Sequence, residues 1–297
     1  MTKKFNFEYI HELLNNSSIE AGLYIIATPI GNLSDITIRA LNILSLSKMV
    51  YCEDTRVSKK LTTKYGINCL LKPFHKFNSK SIIPEIIKKL ENNEIISLIS
   101  DAGTPLISDP GIDLINKCIE KNIKFYSIPG PTSVVASLVA SGITTNNFTF
   151  LGFIPRIKKN QNIFFEAVNS SKTTTIFFES PKRVKSSISS LNEVIKNRKI
   201  SIVRELTKKN EEIISGDILE VCEILNSKKN IKGELTIIVE SAPVDTKKID
   251  DVFLKKLIIR ELNKSRPLSQ ISTEISEKNN ISKRRVYQLC LSLKDKF

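Results

Sequence analysis

Short apolar runs alternate with amphipathic stretches over the first half of the chain. The runs predict strands at residues 23–29, 49–54, 94–101 and 124–130. Apolar positions at helical spacing predict helices at residues 33–44, 55–65, 81–93, 111–122 and 131–141. We expect Ser34 or Asp35 to cap the first of these helices. This alternation predicts a mostly parallel sheet with helices on both faces.

A second unit with a different strand pattern begins near residue 145. Its predicted elements are strands at 148–155, 173–180, 199–206, 211–218 and 233–241, and helices near 161–169, 182–196 and 217–227. The strands on either side of residues 208–210 are too close for a crossover helix, so part of this sheet must be antiparallel. We therefore expect two α/β domains, at residues 21–142 and 143–243, after an N-terminal extension at 1–20.

The last part of the chain, residues 249–297, is predicted to form a small helical module after a polar linker. Its helices are expected at residues 250–263, 268–278 and 282–293, and the last two resemble a helix-turn-helix. An apolar stripe on the last helix consists of Val286, Leu289, Cys290 and Leu293. The pattern fits a packing or dimerisation module. It also fits a nucleic-acid-binding module, for which Lys283, Arg284 and Arg285 would supply the cations.

The charge of the chain is strongly positive and unevenly distributed. The net charge is +14, and residues 247–297 hold 13 Lys and Arg against 6 Asp and Glu. Half of the surplus therefore lies in the last sixth of the chain. A polyanionic partner such as nucleic acid explains this surplus. The alternative is compositional, because Lys is abundant throughout the chain, as are Asn and Ile.

Several classes of protein are excluded by what the sequence lacks. It has no G-x-G-x-x-G fingerprint, no G-K-[ST] phosphate loop and only two histidines, so dinucleotide, P-loop and metal chemistry are not expected. The five cysteines are widely spaced and odd in number, which favours a reducing compartment. With no apolar run of about 20 residues and no signal-peptide pattern, we expect a cytoplasmic protein.

Three loops rich in proline, glycine and hydroxyl residues follow predicted strands of the first domain. They read TPIGN (28–32), SDAGTPLISDPG (100–111) and IPGPTS (128–133). Such loops are stiff and let a ligand approach the backbone closely. Because proline removes N–H donors, they do not suit a phosphate. They favour a neutral or zwitterionic ligand with adenine and amino-acid parts, bound at the carboxyl ends of the strands.

At these loops the chain resembles the tetrapyrrole methylase superfamily, and within it a branch that methylates ribosomal RNA. The motifs that carry the resemblance cover nearly the whole chain: LYIIATPIGNLSDITIRAL (23–41), CEDTR (52–56), LISDAGTPLISDPG (98–111), PGPTS (129–133), FLGFIPR (150–156), FFESPKR (177–183), VRELTK (203–208) and KGELTIIVE (232–240). The resemblance implies two α/β domains with the active site in the cleft between them.

The resemblance also implies an activity. That activity is methyl transfer from S-adenosyl-L-methionine to the ribose 2′-oxygen of a cytidine in the decoding region of 16S rRNA, with a homodimer acting on the assembled small subunit. Two other functions stay open. One is methylation of a tetrapyrrole precursor, and the other is a non-enzymatic nucleic-acid-binding protein that senses S-adenosylmethionine.

The resemblance assigns roles to particular residues. The cofactor is expected at Pro29, Asp101, Ala102, Gly103, Thr104, Pro105 and Ser133. Candidates for a catalytic group are Glu53, Asp54 and Glu179, although an ion pair with a nearby arginine explains each of them equally well. The expected RNA contacts are Arg56, His75, Arg156, Lys182, Arg183, Lys283, Arg284 and Arg285.

The chain departs from the family motifs at three places, each of which replaces a histidine. Val57 follows the EDTR motif, HKFN at 75–78 stands for H-x-H-N, and ESPKR at 179–183 stands for E-S-x-H-R. These changes argue against a mechanism based on imidazole and leave the carboxylates and arginines in place.

Overall fold

The computed structural model describes residues 18–195, 197–243, 251–262, 266–279 and 281–294. The part up to residue 242 forms one compact unit that contains two five-stranded sheets, and the part from residue 243 forms another. Residues 1–17 of the expected N-terminal extension and residues 244–250 around the expected linker lie outside the described residues.

The first sheet is entirely parallel, as predicted. Its strands are β1 (Gly22–Ile26), β2 (Met49–Cys52), β3 (Leu71–Pro73), β4 (Ile95–Ile99) and β5 (Phe125–Ile128). They lie in the order β3-β2-β4-β1-β5. Since the strands are parallel, the loops after β1, β2, β4 and β5 emerge at one edge.

Helices cover both faces of this sheet, which confirms the predicted layering. Four helices supply this cover: α1 (Ile38–Leu46), α2 (Thr55–Lys64), α3 (Ser79–Glu91) and α4 (Ile112–Glu120). A fifth helix, α5 (Ser133–Ala140), follows β5. Alternate residues of β1 enter different cores because successive strand side chains point to opposite faces. Leu23 and Ile25 pack with α3 and α4, whereas Tyr24 and Ile26 pack with α1 and α2.

The predicted cap of the first helix is wrong. Residues Leu33–Asp35 form a short 3₁₀ turn, and α1 begins only at Ile38. Thr37 caps α1, because its Oγ1 accepts the Ala40 N–H at 3.1 Å. The pattern also does not predict β3, whose three residues are too few to show a period.

The second sheet is mixed, as the short connection at residues 208–210 predicts. Its strands are β6 (Phe148–Phe153), β7 (Thr174–Glu179), β8 (Lys199–Arg204), β9 (Glu212–Asp217) and β10 (Leu235–Val239), in the order β6-β7-β10-β8-β9. Strands β8 and β9 form the antiparallel hairpin, and β10 runs antiparallel to both of its neighbours.

Helices α6 (Lys158–Ser170), α7 (Val184–Val194) and α8 (Ile218–Ser227) pack on one face of this second sheet. On the other face, Val134 and Leu138 of α5 pack against Ile176 and Ile238. Helix α5, which follows the last strand of the first sheet, therefore packs on the second sheet.

The C-terminal unit consists of three helices, α9 (Asp251–Leu262), α10 (Leu268–Asn279) and α11 (Lys283–Lys294). Of the predicted stripe, Val286, Cys290 and Leu293 are buried in its core, and Leu289 packs against them. Among the helices that the structure describes, none combines the length and apolar character needed to cross a bilayer.

Candidate active site

The loops that follow β1 and β4 are hydrogen-bonded to each other at the carboxyl edge of the first sheet. Thr28 N–H donates to the Gly103 carbonyl at 2.9 Å, and Gly103 N–H donates back at 3.0 Å. Thr28 Oγ1 also donates to the Ser100 carbonyl at 3.0 Å. Gly103 has a φ of +79°, a conformation that glycine adopts without the steric cost of a Cβ. The two loops therefore form one connected surface.

The rest of the loop after β4 holds two residues in the left-handed region. Leu106 has a φ of +76° and Ser108 a φ of +68°. Gly111 has a φ of +138°, which other residues rarely adopt, and a Cβ there would lie 2.6 Å from Leu106 Cδ2. Such conformations cost about 1–3 kcal/mol each for residues other than glycine and are concentrated at functional sites. The conformation of this loop is therefore maintained by its surroundings.

A cleft of about 390 Å³ lies between this edge and the second sheet, which is the size of a small-molecule site. The predicted site residues that line it are Glu53, Asp101, Ala102, Gly103, Thr104, Ser133 and Glu179. Three others do not line it. Pro29 and Pro105 are buried within the loops, and Asp54 lies outside the lining.

Sequence reasoning missed several residues that line the cleft. Asp109 could have been found, because it is the second acidic residue of the loop after β4. Phe153 and Phe178 give no signal, since apolar strand residues are expected in any sheet. Residues 233–236 reach the cleft because β10 pairs with β7, so that Leu235 lies opposite Glu179. No local pattern predicts that pairing.

Three carboxylates of the cleft are close enough for their charges to interact. Burial raises the pKa of Asp109 to about 6, and the negative charge of Glu53 is the next cause. Partial desolvation and then the charge of Asp101 raise the pKa of Glu53, while His75 opposes this shift. Desolvation also raises the pKa of Asp101, although its Oδ1 accepts the Asp54 N–H at 3.0 Å. The cleft therefore contains a carboxyl group that titrates near pH 6.

Asp54 is engaged in an ion pair rather than free for catalysis. Its Oδ2 lies 2.5 Å from Arg56 Nη2, and its Oδ1 accepts Arg56 Nε at 3.0 Å and the Arg56 N–H at 2.8 Å. The Arg56 hydrogen bonds lower the pKa of Asp54 to about 2. Asp54 is thus a weak proton acceptor, which favours the ion-pair alternative for it. The Arg56 side chain is 86% exposed.

Glu179 and Arg183 form a buried network at the end of β7. The Glu179 side chain has no exposed surface, and its Oε1 accepts Arg183 Nη2 at 2.7 Å and Arg183 Nε at 2.9 Å. Its Oε2 accepts Ser187 Oγ at 2.6 Å, and Arg183 Nη2 also donates to the Ile154 carbonyl at 2.6 Å. These bonds favour a structural role for both side chains over the catalytic and RNA-binding roles expected of them.

The other basic residues expected to bind RNA are not brought to a single point. Arg156 and Lys182 are exposed in the loops after β6 and β7. His75 follows β3 and is half-buried, and its Nδ1 is buried without a partner among the described residues. In the C-terminal unit Lys283 and Arg284 are exposed at the start of α11.

Arg285 also has a structural role within the C-terminal unit. Its Nη2 lies 2.6 Å from Asp251 Oδ1, so the ion pair connects α11 to α9. This contact occupies part of a side chain that the sequence assigns to RNA.

A tight contact between the loop after β1 and the loop after β8 gives a first test of the site. A Cβ on Gly31 would lie 2.5 Å from Lys208 Cγ and 2.9 Å from the Leu206 carbonyl. Gly31→Ala should therefore separate the loops, break the 3.0 Å bond from Asn32 N–H to Thr207 Oγ1, and cost about 1–3 kcal/mol. Urea unfolding measures this loss. Ser34→Ala, an exposed change in the same loop, is the control, and equal stability of the two variants would contradict the contact.

The unit that holds the two five-stranded sheets and the cleft matches a family of methyltransferases. Residues 22–222 match the family described as Tetrapyrrole (Corrin/Porphyrin) Methylases, and the chain belongs to that family. S-Adenosyl-L-methionine is the methyl donor in this family.

The relatives of the chain narrow the class further. It is 38% identical over 93% of its length to the ribosomal RNA small subunit methyltransferase I of Mesorhizobium japonicum, of which it covers 94%. It is 35% identical over 92% of its length to the protein of that name from Bacillus subtilis, covering 95% of it. The Hydrogenobaculum sp. protein of that name is 45% identical over 73% of this chain and 94% of its own, so part of this chain has no counterpart there.

Solved structures support the fold alone. Cobalt precorrin-4 methyltransferase matches 73% of this chain and 94% of its own, with a TM-score of 0.54 and 16% identity. Diphthine synthase matches 73% of this chain and 89% of its own, with a TM-score of 0.59 and 13% identity. The fold is therefore shared with a cobalt precorrin-4 methyltransferase and a diphthine synthase.

Proposed function

We propose that this chain transfers a methyl group from S-adenosylmethionine to the ribose 2′-oxygen of a cytidine in the decoding region of 16S rRNA. The substrate is the assembled small subunit rather than free RNA. One observation carries the proposal: a cleft of about 390 Å³ with three interacting carboxylates, in a chain 38% identical over nearly its full length to a named ribosomal RNA methyltransferase.

The chemistry of the cleft residues suits the cofactor. Ile30 and Val134 supply apolar surface of the kind an adenine ring needs. The hydroxyls of Thr104 and Ser133 and the backbone at Gly103 supply hydrogen-bonding groups for the ribose and amino-acid parts. Bound S-adenosylmethionine supplies the reactive methyl group on a positively charged sulfur. The nearby carboxylates favour that positive charge.

Glu53 is the group we assign to accept the proton of the ribose hydroxyl. A ribose hydroxyl is a weak nucleophile, so a general base raises its reactivity. Glu53 is exposed to the cleft, and its pKa is raised by desolvation and by Asp101, which makes it a stronger base than an ordinary carboxylate. Asp54 and Glu179 are already bound to arginines. The charge of Glu53 raises the pKa of Asp109, and by the same repulsion an ionised Asp109 makes Glu53 a stronger base.

Binding of the RNA is assigned to the exposed cations. Arg56, Arg156 and Lys182 follow strands at the cleft end of the two sheets, and each has an exposed side chain. Contacts with phosphates supply affinity that does not depend on sequence. The net charge of +14 supports an anionic partner of large size.

The proposal includes a cytoplasmic homodimer. All five cysteines are free thiols, which suits a reducing compartment. Val135 and Val139 of α5 are 47% and 73% exposed, and this apolar surface is available to a second copy of the chain.

Methyl incorporation from labelled S-adenosylmethionine tests the proposal directly. The acceptors are small subunits from cells that lack the enzyme, free 16S rRNA and large subunits. We expect label in the small subunit alone. Label in a tetrapyrrole precursor but in no RNA would replace the proposal with the first alternative, and cofactor binding without any product would favour a sensor.

The exposed cations of the last helix are expected to act on affinity and not on chemistry. Lys283→Ala combined with Arg284→Ala should weaken binding to small subunits and reduce the salt dependence of log K by roughly 0.7–0.9 for each lost phosphate contact, with kcat unchanged. Binding measured at several salt concentrations gives this slope. Lys255→Ala combined with Lys256→Ala makes the same change of charge on exposed residues of α9. Equal slopes for the two double variants would contradict the assignment.

A further inference from the structure

Phe77 is the most exposed large apolar side chain among the described residues, at 93%. It lies between β3 and α3, with exposed Lys76 on one side and polar Asn78 on the other. An isolated phenylalanine surrounded by polar and basic neighbours is not part of an apolar patch of the kind that docks a protein. Its exposure therefore requires a different explanation.

The turn that carries Phe77 is well ordered by hydrogen bonds. Asn78 Oδ1 accepts the His75 N–H at 2.8 Å, and Asn78 Nδ2 donates to the Pro73 carbonyl at 2.9 Å. The N–H groups of Asn78 and Ser79 donate to the His75 carbonyl at 3.1 and 3.0 Å. Phe77 thus projects from a fixed turn, and little conformational entropy is lost when a partner binds its ring.

The turn is next to the cleft. Strand β3 pairs with β2, and the Phe74 N–H donates to the Cys52 carbonyl at 2.7 Å, so the residues that follow the two strands are neighbours. The ring centroids of His75 and Phe77 are 6.1 Å apart at an angle of 62°. His75 is in turn close enough to Glu53 to lower the pKa of that carboxyl. Phe77 therefore lies beside a histidine whose charge acts on the residue assigned as the base.

We propose that Phe77 is a stacking platform for an unpaired base of the RNA substrate, close to the nucleotide that is methylated. Exposed aromatic rings flanked by cations bind single-stranded nucleic acid in this way, because every base offers a flat π-face. Lys76 and the 86% exposed Arg56 are available for the adjoining phosphates. The inference rests on the proposed function, since it names how the RNA is held beside the same cleft.

Kinetics with small subunits separate stacking from simple apolar contact. Phe77→Ala should raise KM for the subunit roughly 5- to 150-fold, the range that stacking of one base covers, with a much smaller change in kcat. Phe77→Tyr should restore the KM because it keeps the ring. Phe77→Leu, which is apolar but has no ring, should not. A wild-type KM in the Phe77→Leu variant, or an unchanged KM in the Phe77→Ala variant, would overturn the proposal.

Fluorescence gives a second readout, because the chain contains no tryptophan. Phe77→Trp places a single indole at the platform, and a single-stranded RNA octamer should quench it by stacking. Phe148→Trp is the control, since Phe148 is 43% exposed at the opposite end of β6 from the cleft residue Phe153. Equal quenching in the two variants would overturn the proposal. Failure of the wild-type protein to methylate RNA would instead overturn the proposed function.

Discussion

Glu53→Gln is expected to lower the rate of methyl transfer by about 10²–10⁴-fold, the usual contribution of a general base. The amide has nearly the shape of the carboxylate but cannot accept the proton of a ribose hydroxyl. Because the other cleft residues stay in place, including Asp101 and Asp109, binding of S-adenosylmethionine should fall much less than the rate. Single-turnover kinetics with small subunits measure the rate, and calorimetry measures the binding. Asp54→Asn is the matched control, and an equal loss of rate in the two variants would contradict the assignment.

The same assignment predicts how the rate depends on pH. Asp109 holds its proton up to about pH 6 because burial and Glu53 raise its pKa. Above that pH its negative charge makes Glu53 a stronger base, so the rate should rise through about pH 6 and then level off. Asp109→Asn removes this charge, so the rise near pH 6 should disappear. A wild-type midpoint in this variant would show that Asp109 does not act on Glu53.

Arg183→Ala is expected to give the largest loss of stability. It removes the hydrogen bonds at 2.7 and 2.9 Å from a Glu179 side chain that has no exposed surface. An unpaired buried carboxylate costs about 3–5 kcal/mol, which lowers the midpoint of thermal unfolding by roughly 10 °C in a domain of this size. Arg156→Ala, an exposed arginine in a neighbouring loop, should change stability by less than about 0.5 kcal/mol.

A double variant separates the charge from the packing. Replacing both partners, as in Glu179→Gln with Arg183→Met, leaves no uncompensated charge and should recover most of the lost stability. If the double variant were as unstable as Arg183→Ala, packing of the guanidinium rather than its charge would be the cause. If Arg183→Ala were as stable as the wild-type protein, the network would have no structural role, and its RNA-binding role would again be open.

The fold followed from the sequence where local patterns decide it. Alternation of apolar runs with helical spacing gave the parallel first sheet, and the short connection at 208–210 gave the antiparallel hairpin of β8 and β9. Strand order could not be obtained in the same way, because pairing of β10 with β7 depends on contacts distant in the chain. The helix start at Ile38 was missed because Thr37 competes with Ser34 and Asp35 as a cap.

The site was predictable where its residues share one loop. The loop after β4 places Asp101, Gly103 and Thr104 in the cleft, as its composition suggests. The sequence could not separate Glu53 from Asp54, because the difference lies in the ion pair with Arg56. It could not identify Glu179 as a buried partner of Arg183 for the same reason. Burial and pairing are tertiary properties, so they decide between a catalytic and a structural carboxylate only once the fold is known.

Mapping the methyl group in the RNA tests the central claim most directly. Small subunits methylated by the wild-type protein are stripped to 16S rRNA, which is hydrolysed in alkali and compared with rRNA treated with the Glu53→Gln variant. We expect one bond, following a cytidine of the decoding region, to become resistant to alkali only with the wild-type protein, because a methylated 2′-oxygen cannot attack the adjacent phosphate. A methyl group found on a base, with every bond still cleaved by alkali, would contradict ribose methylation. It would also contradict the role of Glu53.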